Sequence, residues 1–220
     1  MEVSERAVQI PPTGIIGDLT IPANATGIVV FAHGTGSSRF STRNHFVAQV
    51  LQQGGFATLL LDLLTAAEEQ VDLRTRHLRF DISLLAERLS QTTEWLRTEP
   101  HASSLPVGYF GASTGGGAAL LAASRLPDVV KAVVSRGGRP DLAADALAHV
   151  ETPTLLIVGE RDNAVIELNE RALARLHCEK ELQIVPRATH LFEEPGALEE
   201  VARLALEWFQ RYLSPSAVRH

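Results

Sequence analysis

Val107-Gly-Tyr-Phe-Gly111-Ala-Ser113-Thr-Gly115-Gly-Gly-Ala-Ala-Leu120 is the stretch that decides how the rest of the chain is read. Val107–Phe110 is a short apolar run of the kind that forms a strand covered on both faces. The residues from Thr114 onward are small and apolar, suited to a helix that must pack closely. Between the two, Gly111-Ala-Ser113-Thr-Gly115 matches G-x-S-x-G, a pattern that has meaning only in this strand–turn–helix setting. A serine on so sharp a turn needs neighbours without bulk, and Gly111, Gly115, Gly116 and Gly117 supply them. The bland alternative is a tight turn without chemistry, so the pattern needs partners elsewhere in the chain.

Outward from this turn, short apolar runs alternate with amphipathic ones. Strands are expected at Gly27–Ala32, Ala57–Asp62, Val107–Phe110, Val130–Val134, Thr154–Val158 and Leu182–Val185. Upstream, Ala7–Ile10 and Ile15–Ile21 flank Pro-Pro-Thr-Gly and read as an antiparallel pair at a sheet edge, where proline is tolerated. A helix is expected to begin near Arg74, with Leu78, Ile82, Leu85, Leu89 and Leu96 on its apolar face. Another runs from about Ala197 to Leu213, and shorter ones over Thr42–Gln53, Thr114–Arg125 and Val165–His177. Strand–helix alternation of this kind gives an α/β fold, a parallel sheet with helices on both faces. Ligands then sit beyond the carboxyl ends of the strands. Residues 1–213 read as one domain, and Ser214–His220 as a tail.

A serine hydroxyl is a poor nucleophile without a base, and the base needs a third group to orient it. After G-x-S-x-G, the partners should follow in the order acid, then histidine. Asp162 comes after Thr154–Val158 through Gly159-Glu-Arg, and His190 after Leu182–Val185 through Pro186-Arg-Ala-Thr. Ser113, Asp162 and His190 are therefore the expected catalytic triad. Glu160, Asp141 and Asp62 also end or follow strands and compete with Asp162. His45, His77, His101 and His177 fall on helices or helix ends, His149 precedes a strand, and His220 is terminal.

His33 belongs to Phe31-Ala-His33-Gly34-Thr35-Gly36-Ser37-Ser38, directly after a strand. Such a turn supplies amide donors to a developing oxyanion, and the amides of Thr35 and Thr114 are the expected pair. His33 itself is expected to hydrogen-bond structurally rather than carry protons. The loop lacks the third glycine of a dinucleotide fingerprint and the Gly-Lys-Ser/Thr of a P-loop. No two histidines stand at i, i+4 and there is one cysteine, so no cofactor and no metal are expected.

Composition narrows the classes further. The chain has 220 residues, 45% hydrophobic and 21% charged, with a net charge of −6. That is enough chain to bury a core without disulfides. The acidic balance argues against a nucleic-acid or anionic-membrane partner. Arg74, Arg76 and Arg79 lie among carboxylates and read as a solvated helix face. With Cys178 alone and an acidic N-terminus that is unlike a signal peptide, a cytoplasmic protein is expected, monomer or homodimer.

With these residues in place, the chain from about Ile15 to Leu213 resembles the dienelactone hydrolase-like branch of the α/β-hydrolase superfamily. The His33-Gly34 loop, Gly111–Gly115, Gly159-x-x-Asp162 and His190 before the last helix carry the resemblance, and Ser135–Asp141 resembles segments of small bacterial members. The resemblance implies the α/β-hydrolase fold, an eight-stranded, mostly parallel sheet, and acyl-ester chemistry without a cofactor. One position departs: dienelactone hydrolases proper use a cysteine nucleophile, and Ser113 stands there.

The expected reaction is two-step acyl transfer, with activity falling in acid as His190 takes up a proton. Arg136–Pro153 is too short for a large lid, so the expected substrates are small soluble esters, thioesters or lactones. Arg136 is expected near the pocket, holding a substrate carboxylate or pairing with Asp141 or another acid. Phe40, Leu63, Leu64 and Phe192 are candidates to line an acyl pocket or simply to pack. A ligand-binding protein without turnover, a peptidase and a perhydrolase are the alternatives on the same residues.

Overall fold

The computed structural model describes residues 4–214. Most of the tail Ser214–His220 thus lies outside the described residues. The strands are β1 (Ser4–Ile10), β2 (Ile15–Ile21), β3 (Ile28–Ala32), β4 (Ala57–Leu61), β5 (Val107–Ala112), β6 (Val130–Arg136), β7 (Thr154–Gly159) and β8 (Lys180–Val185). They form one sheet in the order β1-β2-β4-β3-β5-β6-β7-β8. β1 and β2 are the antiparallel edge pair, with Ile10 opposite Ile15, and β2 also runs antiparallel to β4. The other neighbours are parallel.

Alternation along the strands feeds two cores. Val29 and Phe31 of β3, Phe110 of β5 and Val134 of β6 face α1 (Thr42–Gln53) and α6 (Ala197–Leu213). Val30, Tyr109 and Val133 face the opposite layer, which includes α3 (Ile82–Leu96) and α4 (Thr114–Arg125). β5 accepts α6 at close range because Gly108 has no side chain: a Cβ there would lie 2.8 Å from the Phe209 ring. Among the described residues, no helix is long and apolar enough to cross a membrane.

The helix expected from near Arg74 is two helices. α2 (Ala66–Thr75) starts at a capping box, in which Thr65 Oγ1 accepts from Glu68 N–H and Glu68 accepts from Thr65 N–H. It ends at Arg76 in the left-handed region, φ 56°. After a short 3-10 turn (Leu78–Phe80), Asp81 caps α3 by accepting from Leu84 N–H at 3.0 Å. Of the expected solvated arginine face, Arg74 and Arg76 are exposed but Arg79 is not. Arg79 turns inward to the buried Asp72, which also accepts from Leu78 N–H at 2.8 Å. Residue Asn163 to residue Arg175 forms α5, two residues earlier at each end than the spacing predicts.

Strand order locates the site. The chain leaves β3 toward β4 on one side and leaves β5 toward β6 on the other, so the loops after β3 and β5 diverge. Such a switch point opens a crevice at the carboxyl edge of the sheet. The β6–β7 connection, with its 3-10 segment Pro140–His149, packs on α4 and α5 and forms no large lid. Phe209 anchors α6 under β5, fully buried and 6.3 Å from the Phe56 ring. Phe209→Ala should cost about 3–5 kcal/mol in urea unfolding, the range for deleting a buried aromatic ring.

Candidate active site

Ser113 sits between β5 and α4 with φ 51° and ψ −120°, a strained conformation for a residue with a side chain. The turn is possible because two backbones nearly touch. A Cβ on Gly115 would lie 2.2 Å from Ala32 O, and one on Gly111 would lie 2.5 Å from Gly115 O. On Gly34 it would meet Ser113 Cβ at 3.0 Å, so the loop after β3 lies directly against the serine. Ser113 N–H donates to Arg136 O, and Ser113 O accepts from Arg139 N–H, which ties the turn to the end of β6.

Asp162 occupies the N-cap of α5, yet its carboxylate caps nothing. It accepts from His190 Nδ1 at 2.6 Å instead, leaving Nε2 as the free imidazole nitrogen. His190 reaches this position on the loop after β8. Glu160 accepts from Arg187 N–H at 2.6 Å, and Glu194 from Thr189 N–H at 3.0 Å, bracing that loop on either side of its histidine. These braces were not legible in the sequence, because nothing in the spacing marks them. Gly137, one residue past Arg136, faces the ring: a Cβ there would lie 3.5 Å from His190 Nδ1. Ser113 and His190 therefore border the same end of β6. No hydrogen bond joins their side chains among the described residues, a looseness common in ligand-free sites.

The competing carboxylates are occupied elsewhere. Asp141 takes two bonds from Arg139, at 2.8 and 2.7 Å. Asp62 accepts from Arg39 N–H at 2.8 Å and from its guanidinium, while Glu160 serves the loop as described.

Of the two amides expected to receive an oxyanion, Thr35 lies on the loop after β3 and Thr114 at the start of α4. Neither Thr35 N–H nor Thr114 N–H donates to a protein acceptor among the described residues. Their hydroxyls lie 3.0 Å apart, joining the loop to the first residue of α4. His33 braces the loop from beneath, with Nδ1 2.9 Å from Gly34 O and Nε2 accepting from Leu63 N–H at 3.2 Å. A cavity of about 20 Å³ lies beside this loop, lined by His33, Thr35, Leu63, Leu64 and Thr114 together with Asp72 and Arg79. That is room for about one water molecule.

The proposed substrate-binding residues scatter. Leu63 and Leu64 are buried, and line this small cavity. Phe192 is 2% exposed and belongs to the core beneath α1 and α6. Phe40 is 63% exposed, with the Arg39 guanidinium 4.0 Å from its ring. Arg136 is buried beside Phe192 and does not pair with Asp141.

Burial pushes the His33 pKa below its ordinary 6.5, more than the bond to Gly34 O and the charges of Asp62 and Glu69 raise it. The folded protein thus resists protonating this ring, while the unfolded chain protonates it freely. The contribution to stability is complete above about 6.5 and is lost as the pH falls below it. Urea unfolding should show stability declining from about pH 7 to about pH 5, with a shallower slope in His33→Gln.

Comparison with known proteins adds to this geometry. A model of the dienelactone hydrolase family matches residues 15–214. The solved dienelactone hydrolase from Anabaena variabilis ATCC 29413 is 62% identical with a TM-score of 0.94, covering 97% of this chain and 100% of that one. Carboxyl esterase 2 from the fungus Tuber melanosporum shares the fold at 18% identity and a TM-score of 0.73, covering 97% of this chain and 88% of that one. Proteins from two Mycobacterium tuberculosis strains, CDC 1551 / Oshkosh and H37Rv, provisionally named phosphoribosyl transferases, are 60% identical over 202 residues. That match takes in 92% of this chain but 45% of theirs, so the chain spans about half the length of those relatives. The eight-stranded sheet, the serine turn and a family match over most of its length place the chain in the dienelactone hydrolase family.

Proposed function

We propose that this chain is a serine hydrolase cleaving small carboxylic esters, thioesters and lactones included, through an acyl-enzyme on Ser113. The observation that carries the reading is the 2.6 Å bond between His190 Nδ1 and Asp162, beside a strained serine with two undonated amides near it. In the first step, Ser113 Oγ bonds to the substrate carbonyl carbon and its proton passes to His190 Nε2. Asp162 holds the ring in the tautomer that accepts this proton and stabilises the imidazolium. The carbonyl oxygen, now negative, takes the amides of Thr35 and Thr114, each such donor contributing a few kcal/mol.

The C–O bond then breaks and the leaving alcohol takes the proton from His190. Water repeats the sequence: its proton goes to His190, its oxygen attacks the acyl carbon, and Ser113 leaves with the proton. The carboxylic acid departs, and the chain's own residues suffice without a cofactor. His190 is 40% exposed, which suits small substrates that enter from water. The lone Cys178 suits the reducing cytoplasm. In this reading, the transferase named in the longer Mycobacterium proteins belongs to the rest of their length.

Kinetics on 4-nitrophenyl acetate test the assignment. Ser113→Ala should lower kcat/KM on the order of 10⁴-fold or more, and Asp162→Asn by roughly 10³–10⁴-fold. Full turnover in Ser113→Ala would overturn the proposal.

A further inference from the structure

Arg136 ends β6 opposite Ala112, one residue before Ser113. Its side chain shares the sheet face of Ala132 and Val134, under α1 and α6, and the residue is 8% exposed. The chain's other well-buried guanidiniums have acids of their own: Arg88 takes Glu68 at 2.5 Å, Arg79 takes Asp72, and Arg39 takes Asp18 and Asp62. Arg136 has none among the described residues. Its Nε and Nη1 are buried without an acceptor. The Phe192 ring is 5.9 Å from the guanidinium carbon, and Phe192 stands two residues after His190.

The charge that bears on Arg136 makes its isolation worse. It is that of Arg43, on the first turn of α1, whose own Nε is also buried without an acceptor. Burial first, and Arg43 second, lower the Arg136 pKa to about 10, which leaves it charged at neutral pH. Arg43 meets one acid, Glu193, at 3.3 Å on an exposed edge, where a pair of this kind contributes little. Proteins pair a buried charge or exclude it, because an isolated one is costly to desolvate. Arg136 lies over the Phe192 ring and Arg43 bonds the next residue, Glu193, so two guanidiniums with idle donors meet one segment and fit an anion from outside the chain.

We infer that Arg136 and Arg43 form an anion subsite beside Ser113 and His190, and that the ester cleaved there carries a phosphate group. Charge selects phosphate over carboxylate. A phosphate monoester brings three acceptor oxygens and nearly two negative charges to the idle Nε and Nη1 of Arg136 and Nε of Arg43, whereas a carboxylate brings two oxygens and one charge. The phosphate is a handle and does not react: the bond broken remains the acyl C–O bond of the mechanism above. The inference rests on the serine hydrolase reading for its chemistry, but the anion site itself is testable without turnover.

Three matched acetate esters separate the possibilities: 2-acetoxyethyl phosphate, 3-acetoxypropanoate and the neutral 2-methoxyethyl acetate. Acetate release should be fastest in kcat/KM for the phosphate ester, and Arg136→Gln should shrink its advantage over the neutral ester roughly ten- to hundredfold. Inorganic phosphate should bind Ser113→Ala protein in calorimetry, and adding Arg136→Gln or Arg43→Gln should weaken that binding by a similar factor. Because Arg136 has no protein acid to lose, Arg136→Gln should melt no lower than wild type, whereas a structural arginine would lower the melting point. Equal rates on the three esters, preference for the carboxylate, or phosphate binding indifferent to Arg136 would each overturn the inference. Loss of turnover on every ester with Arg136-dependent phosphate binding intact would count against the hydrolase reading alone.

Discussion

The approach of α4 to the ends of β3 and β5 is the constraint on which the site depends. Gly115 brings the helix backbone against Ala32 O, Gly111 brings the strand end against the helix start, and Gly34 lays the next loop on the serine. A Cβ at Gly115 or Gly111 would force backbone to move, and one at Gly34 would press on Ser113 itself. Because all three are glycine, one turn can hold Ser113 in a strained conformation and leave Thr114 N–H without a partner. The hydroxyl contact between Thr35 and Thr114 then couples the two amides that are proposed to receive the oxyanion. Strain at Ser113 is tolerated because its carbonyl and amide are tied to Arg139 and Arg136, one strand away.

Charge is distributed by the same economy. The acids that compete with Asp162 each have a donor of their own, and burial disfavours the charged form of His33 where it braces the loop. Asp162 is the carboxylate left over for a histidine, since Asp141, Asp62 and Glu160 are taken by Arg139, Arg39 and Arg187 N–H. Arg136 is the opposite case, a buried guanidinium that its surroundings do not neutralise. Asp162 follows β7 and Arg136 ends β6, neighbouring strands of the sheet.

How much of this could be read from the residues alone follows from how local each signal is. The glycines around Ser113 announce a close approach because no other residue permits one. The order Ser113, Asp162, His190 is legible because each follows an apolar run. The helix α2 is hard to read from spacing although Thr65-Ala-Ala-Glu68 is a capping box. Its helix has a weak apolar face, with Val71 and Leu73 exposed, and what fixes its end is the contact between Asp72 and Arg79. Pairing was equally hidden: Arg136 is a candidate partner of Asp141 in sequence, whereas in the structure Asp141 takes Arg139, with Gly137 at φ 51° after Arg136. Hydropathy likewise cannot tell a buried Phe192 from a Phe40 left at the surface.

The central claim is that Ser113 is an activated nucleophile, and covalent labelling tests it most directly. Protein treated with a fluorophosphonate should gain a single adduct by intact mass, located by peptide mass spectrometry on Ser113 and absent from Ser113→Ala. Folded protein that takes no label, or takes it equally in Ser113→Ala, would contradict the account.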